Sequence, residues 1–479
     1  MTSLLKPLFW GALIASPLLL FWLKLSQGLH YVNKIASIAQ RIKKVWCVMA
    51  VPTKARYKAR VIQLVAGGYK FAQRRRAARD NAADDLEFYY AAGDPHSHLA
   101  AQLLPRLQEQ SRVKIRVRLV SQHESPIYPA IDKQRQFALT DVPRLASAYG
   151  LKTVAMNTLP SADLLASGSR HLHGAISLEE FIQREWEVSA ALFSGQKTQP
   201  FDTGKLATPE DTDIEIQANN ARRERLGHYL PAMWQFRGDW FWGVDRAEAL
   251  CTALGRAKLY DGALQLSCSA NVAELGETPA MDTPLEFFFS FRSPYSYLAA
   301  VQLQQRLPSL SLPLAVRPVL PMAMRGFKIP LAKRMYIVHD AAREAKNLGI
   351  PFGLISDPIG EGALRCLKVF SLATGAGQQL DFLVSAGRGA WAEAIDLSTD
   401  RGLRKVCERA GINWVAAQRC LQGPLPNYAQ ANLDALQDMG YWGVPSFRLG
   451  KFTSWGNDRM WMLDELQRRV VSNQRMKEQ

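Results

Sequence analysis

Residues 285–300 read LEFFFSFRSPYSYLAA. An aromatic-rich run leads into Ser293-Pro294 and then a helix-forming stretch, so the segment predicts a buried strand, a tight turn and a helix. Ser293 falls where an N-cap belongs and Pro294 at the first helical position, where a missing N–H costs nothing. A hydroxyl at that point faces the unpaired donors and positive end of the helix, a setting that favours an anion such as a thiolate or carboxylate. Capping alone would account for the pair, but the same stretch occurs twice in the chain.

Residues 86–101 read LEFYYAAGDPHSHLAA and match the first stretch without a gap, eight of sixteen positions being identical. The offset of 199 persists downstream, pairing Arg118 with Arg317, Asp141 with Asp340, Arg144 with Arg343 and Gly150 with Gly349. A period of that size means duplicated domains and not a solenoid. The halves also end alike. LPAMWQFRGDWFWGVDRAEAL closes the first and GVPSFRLGKFTSWGNDRMWMLDEL the second, so Pro231 aligns with Pro445, Asp245 with Asp458 and Arg246 with Arg459 at an offset of 213 or 214. Each half is expected to run strand-helix-strand, then a helical middle, then a hairpin and a last helix, which makes an α/β sheet of mixed direction. Helices are predicted over 336–348, 364–373 and 403–410 in the second middle. The polar, acid-bearing stretch Gln196–Asn220 reads as a loop.

A length of 479 residues and a 48% hydrophobic composition allow two or three globular domains. The net charge of +16 is local: residues 1–79 hold 15 Lys and Arg and no Asp or Glu, leaving the rest of the chain nearly balanced. Six scattered cysteines with no CxxC pair and no His-rich ligand spacing indicate neither a disulfide framework nor a metal site nor a dithiol redox centre.

Leu8–Leu23 is an apolar run between Lys6 and Lys24 that would extend about 24 Å as a helix, short of a bilayer core unless its flanks lengthen it. No small-x-small cleavage site follows, which argues for an anchor over a secretory signal. The positive charge downstream predicts that the remainder faces the cytoplasm. Leu29, Val32, Ile35, Ile38, Ile42, Val45, Trp46 and Met49 recur at helical spacing among lysines and arginines. They suit a helix lying on an anionic membrane or one packed on the body behind it. Arg74, Arg75, Arg76 and Arg79 read as a solvated or lipid-facing run; without aromatic interleaving, nucleic acid is not expected as a partner.

FFFSFRSPYSYLAA, KRMYIVHDAAREAKNLGIPF and the closing GVPSF followed by WGNDR, in that order, resemble the DsbA-like branch of the thioredoxin superfamily. Within that branch they are most similar to 2-hydroxychromene-2-carboxylate isomerases and kappa-class glutathione transferases. The resemblance implies two tandem thioredoxin-like (DsbA-like) domains, each with a helical insertion, behind an N-terminal membrane-associated helical segment. The expected boundaries are an anchor at 1–25, a basic juxtamembrane segment at 26–83, a degenerate domain at 84–262, a linker at 263–283 and the site-bearing domain at 284–472.

As site residues it implies Ser293, donating to the sulfur of glutathione, and Ser296, in the place of the second thioredoxin cysteine. Val444 would hold the glutathione main chain beside the cis-proline, Pro445, and Asn457 and Asp458 would grip the γ-glutamyl end. In the isomerase reaction so implied, glutathione adds to a hydrophobic or aromatic substrate, allows bond rotation or ring opening, and leaves. The stretch PVLPMAMRGFKIPLAK at 318–333 departs from the branch in having no Gly-Asn loop; Lys333 within it matches a basic residue that the branch has near the site, but reads more simply as a solvated lysine. Asp94 stands in the first half where Ser293 stands in the second, and its charge would repel a thiolate. The first half is therefore expected to be structural, the two halves forming an intramolecular pseudo-dimer. Two other readings are a non-catalytic membrane-anchored scaffold and a thiol-disulfide oxidoreductase, the latter disfavoured by SPYS and DPHS in place of CxxC.

Overall fold

In the computed structural model, which describes residues 51–79, 84–121, 130–195, 201, 206–262, 273–327 and 329–478, the two matched segments open two four-stranded sheets. The described chain begins with helix α1 (Val51–Arg79). The first half then runs β1 (Leu86–Tyr90), α2 (Pro95–Ala101), α3 (Leu104–Gln110), β2 (Ile115–Leu119), α4 (Ile131–Tyr149), α5 (Ala162–His173), α6 (Leu178–Phe193), α7 (Pro209–Arg225), β3 (Met233–Phe236), β4 (Asp239–Trp242) and α8 (Ala247–Arg256). The second runs β5 (Leu285–Phe289), α9 (Pro294–Arg306), β6 (Leu314–Pro318), α10 (Leu331–Asn347), α11 (Glu361–Phe370), α12 (Gly375–Ala392), α13 (Asp400–Arg409), α14 (Trp414–Gln422), α15 (Tyr428–Asp438), β7 (Ser446–Leu449), β8 (Phe452–Trp455) and α16 (Met460–Glu478).

The sheets have the same order, β2-β1-β3-β4 and β6-β5-β7-β8, with β1·β2 and β5·β6 parallel and the other pairings antiparallel. Their registers correspond: Leu86 faces Ile115 as Leu285 faces Leu314, and Phe88 faces Trp234 as Phe287 faces Phe447. The last two pairs stack their rings at 4.1 and 5.3 Å. β1 and β5 are buried throughout, which explains their near-continuous aromatic and aliphatic composition. Each carries one acid. Glu87 is met by Arg118 and Arg222, and Glu286 by Arg317 and Arg448, the partners that a carboxylate buried in a sheet requires.

The predicted helices form as α10, α11 and α13, and α10 ends before Gly349 in the left-handed conformation. The expected loop at 196–220 is corrected: within it α7 begins at Pro209. Apolar periodicity is weak there, but Thr208 caps the helix, Glu210 and Asp211 lie in its first turn, and Arg222, Arg223 and Arg225 in its last. Caps and charges aligned with the helix dipole, together with buried Thr212, Asn219 and Arg223, do the work that an apolar stripe usually does.

The expected anchor at 1–25 and the amphipathic helix at 29–49 lie outside the described residues, and among those described no helix is long and apolar enough to cross a membrane. The described remainder of the 26–83 segment is α1, which packs on both halves. Its arginine run is not simply solvated, because Arg74 pairs with Asp239 at 3.0 Å and Arg76 donates to the Arg225 carbonyl at 3.1 Å. Of the expected linker, Ala273–Leu275 forms a 3-10 turn with Leu275 buried and the Glu274 carbonyl accepting from Arg144.

Candidate active site

β5 ends in a turn closed by the Ser293 N–H to the Ser290 carbonyl at 2.9 Å, and α9 starts at Pro294. Ser293 is the N-cap, its Oγ accepting from the Ser296 N–H at 3.1 Å and donating to the Val444 carbonyl at 3.3 Å. The Val444–Pro445 peptide is cis. Ser293 and Val444 are half-buried, and they bring a hydroxyl and a carbonyl together at the N-terminus of α9. Ser296 is buried, and its Oγ accepts from the Ser290 N–H at 3.4 Å, bracing the turn from beneath.

The first half builds the same turn and closes it. Asp94 caps α2, its Oδ2 accepting from the Ser97 N–H at 2.9 Å and from the Ser97 hydroxyl at 2.6 Å. Ser97 Oγ in turn accepts from the N–H groups of Ala91 and Ala232 at 3.3 and 3.1 Å, and both Asp94 and Ser97 are buried. The alignment of Pro231 with Pro445 is corrected by the strand register. Met233 faces Trp242 as Ser446 faces Trp455, and Ala232 and Pro445 accept from the N–H groups of Gly243 and Gly456 at 2.7 and 2.9 Å. Ala232 therefore holds the cis-proline's place, and its N–H, which a proline lacks, ties down Ser97.

Asn457 and Asp458 both have internal partners. Asn457 is buried and its Oδ1 accepts from Gln302 Nε2 at 2.8 Å. Asp458, less buried, lies 2.7 Å from Arg246 of the first half. This pair opens a network that the sequence alignment placed at equivalent positions without joining. Arg246 binds Asp340 through two contacts of 2.9 Å, and Tyr295, two residues beyond Ser293, donates to the same carboxylate at 2.8 Å. With the halves exchanged, Arg459 binds Asp141 at 2.8 and 2.7 Å and Asp245 at 2.8 Å, while His96 lies 3.2 Å from Asp141. Arg144 donates to the Thr453 carbonyl as Arg343 donates to that of Trp240, and Phe137 meets Tyr441 edge-on as Tyr336 meets His228.

Burial alone would raise the carboxyl pKa of Asp340, but the Arg246 charge holds it below the ordinary value, and Arg459 does the same to Asp141. Glu344 has the opposite fate, pushed up to about 7 by burial beside Asp458 and Asp340. Lys333 is half-buried, 5.7 Å from the Tyr229 ring centroid, and burial lowers its pKa to about 8, so the expectation of a solvated lysine is corrected. The remote partners of Arg246 and Asp340 left one trace in the sequence, charged residues kept at matched positions of both halves.

Residues 284–467 match the DSBA-like thioredoxin domain family. The comparison with curated proteins finds no match. Among solved structures, a 2-hydroxychromene-2-carboxylate isomerase is similar at 24% identity and a TM-score of 0.36, covering 41% of this chain and 99% of its own. The cytosolic disulfide reductase DsbM from Pseudomonas aeruginosa is similar at 16% identity and a TM-score of 0.33, covering 40% of this chain and 99% of its own. The same reductase solved with GSH gives 15% identity and a TM-score of 0.31, with the same coverage.

Proposed function

We propose, on the premise that residues 284–467 form a DsbA-like thioredoxin domain, that the second half is a glutathione-dependent isomerase or transferase with its site at Ser293. The supporting observation is the hydroxyl of half-buried Ser293 beside the Val444 carbonyl at the head of α9, where the first half has instead a buried acid, Asp94, whose Oδ2 is held by Ser97. When bound, glutathione supplies the thiolate. Ser293 donates its hydroxyl hydrogen to that sulfur in place of the Val444 carbonyl, and the start of α9 adds positive potential. Val444 offers its carbonyl to the peptide main chain. Ser296 keeps the turn in shape from below.

The γ-glutamyl end fits less fully. Asp458 retains an exposed edge for an ammonium group, whereas Asn457 is turned inward to Gln302. We take the first half as a second copy of the fold that has no working site and stands where a partner subunit would, its Arg246 orienting Asp458. The inward Asn457 favours the second reading, a non-catalytic scaffold. Calorimetry of the full chain with glutathione separates the two: saturable binding that Ser293→Ala weakens supports the enzyme, and no binding at millimolar glutathione sinks it.

A further inference from the structure

α1 carries nine Lys and Arg and no acid over 29 residues, about 43 Å of helix. Its inner face is small, with Ala55, Ala59, Ala66 and Ala77 buried, and it is fastened to both halves. Gln63 donates to the Gly353 carbonyl at 3.0 Å and His339 to that of Ala66 at 3.2 Å on the second half. Lys70 and Arg74 share Asp239 at 2.8 and 3.0 Å on the first, and Gln73 donates to the Leu226 carbonyl at 3.0 Å.

The outer face differs in kind. Arg56, Arg60, Leu64, Gly67, Phe71, Arg75 and Arg79 are exposed and fall within an arc of about 140° at helical spacing. Leu64 is 75% and Phe71 61% exposed, with the Arg75 guanidinium 5.5 Å from the Phe71 ring centroid. Arg56, Arg60 and Arg75 meet no carboxylate among the described residues. Leu64 and Phe71 lie two turns apart on this one face with arginines on either side, the pattern of an interfacial helix, and a face built for a nucleic-acid backbone gains nothing from Leu64.

We propose that this face of α1 lies along an anionic lipid bilayer, with Leu64 and Phe71 entering the headgroup–acyl boundary and the arginines on lipid phosphates. Because α1 is fastened to both halves, this contact fixes how the body faces the membrane. The proposal rests on the reading of residues 1–79 as a membrane-associated segment, and adds the surface and its orientation.

The test uses the full chain in nanodiscs, either zwitterionic or one-quarter phosphatidylglycerol, with Cys47, Cys268 and Cys420 changed to serine. Spin labels are placed in turn through Leu64→Cys, Phe71→Cys and, as an exposed control between α5 and α6, Ile176→Cys. In anionic discs the labels at 64 and 71 should favour oxygen over an aqueous nickel chelate by about tenfold relative to 176. Arg56→Glu with Arg60→Glu and Arg75→Glu should abolish that preference. Labels at 64 and 71 as wet as the control, in chain that stays on the disc through carbonate washing, overturn the proposal while sparing the broader membrane reading. Failure of the unwashed chain to associate with either disc overturns both. Release from anionic discs by duplex DNA, with Leu64→Ser and Phe71→Ser having no effect on lipid binding, would assign the face to nucleic acid and overturn the proposal.

Discussion

At the head of α2 the cap is Asp94, buried and holding two donors from Ser97, whose own oxygen is held by Ala91 and Ala232; at the head of α9 it is Ser293, half-buried and bonded to one carbonyl. Both turns satisfy the first turn of their helix. What separates them is the cap and the residue that faces it. In the first half a buried acid and the Ala232 N–H hold the Ser97 hydroxyl between them. In the second a neutral cap and a proline leave a hydroxyl that can be diverted to a ligand at little cost to the fold.

The ion-pair network tests the comparison most severely, because its two arms differ in exposure. Arg459→Ala strands the buried Asp141 and Asp245 carboxylates and is expected to cost about 3–5 kcal/mol in urea unfolding. Arg246→Ala should cost less, since Asp458 is partly exposed and Arg343 still reaches Asp340 at 3.3 Å. Equal losses would mean that the arms are not distinguished by exposure. Asp141 and Asp340 are held below their ordinary pKa, so their contribution is complete above about pH 4 and drains away as the pH falls below it. Acid unfolding followed by fluorescence should begin in that range and shift upward in the Arg246→Ala chain.

Ser293→Ala should raise the thiol pKa of bound glutathione by about one unit and lower turnover by about 100-fold, read by ultraviolet titration and steady-state rates. Loss of the cap itself should cost only about 1 kcal/mol. The mirror substitution sharpens the contrast: Asp94→Ser should not create glutathione binding, because Ala232 still occupies the second serine. Asp94→Ala should cost about 1–2 kcal/mol and leave glutathione binding to the second half unchanged. Glu344 tests the network from the other side. Its raised pKa means that stability falls as pH rises from about 4.5 to about 7, so Glu344→Gln should gain on the parent steadily between pH 5 and pH 8 in thermal unfolding.

Much of the fold was legible because it is written locally. Aromatic runs made β1 and β5, the Ser-Pro pair made the head of α9, and Gly349 stopped α10, each from interactions within a few residues. Val444 and Pro445 were legible through the family resemblance, and Ser293 as the residue in which the two matched turns disagree. α7 escaped notice because it is held by capping and charge and not by apolar spacing. Aligning Pro231 with Pro445 failed because like residues were matched where strand pairing decides, one place along at Ala232.

The sequence by itself determined which segments become strands and capped helices, since dihedral preference, side-chain size and capping act over one or two turns. Only the tertiary structure decided that Arg246 serves Asp340 and Asp458, that Asn457 faces Gln302, and that Lys333 is half-buried against Tyr229. A charged or amide side chain takes its partner from whatever packing brings within about 3 Å, and here that partner lies roughly a hundred residues or more away in the chain.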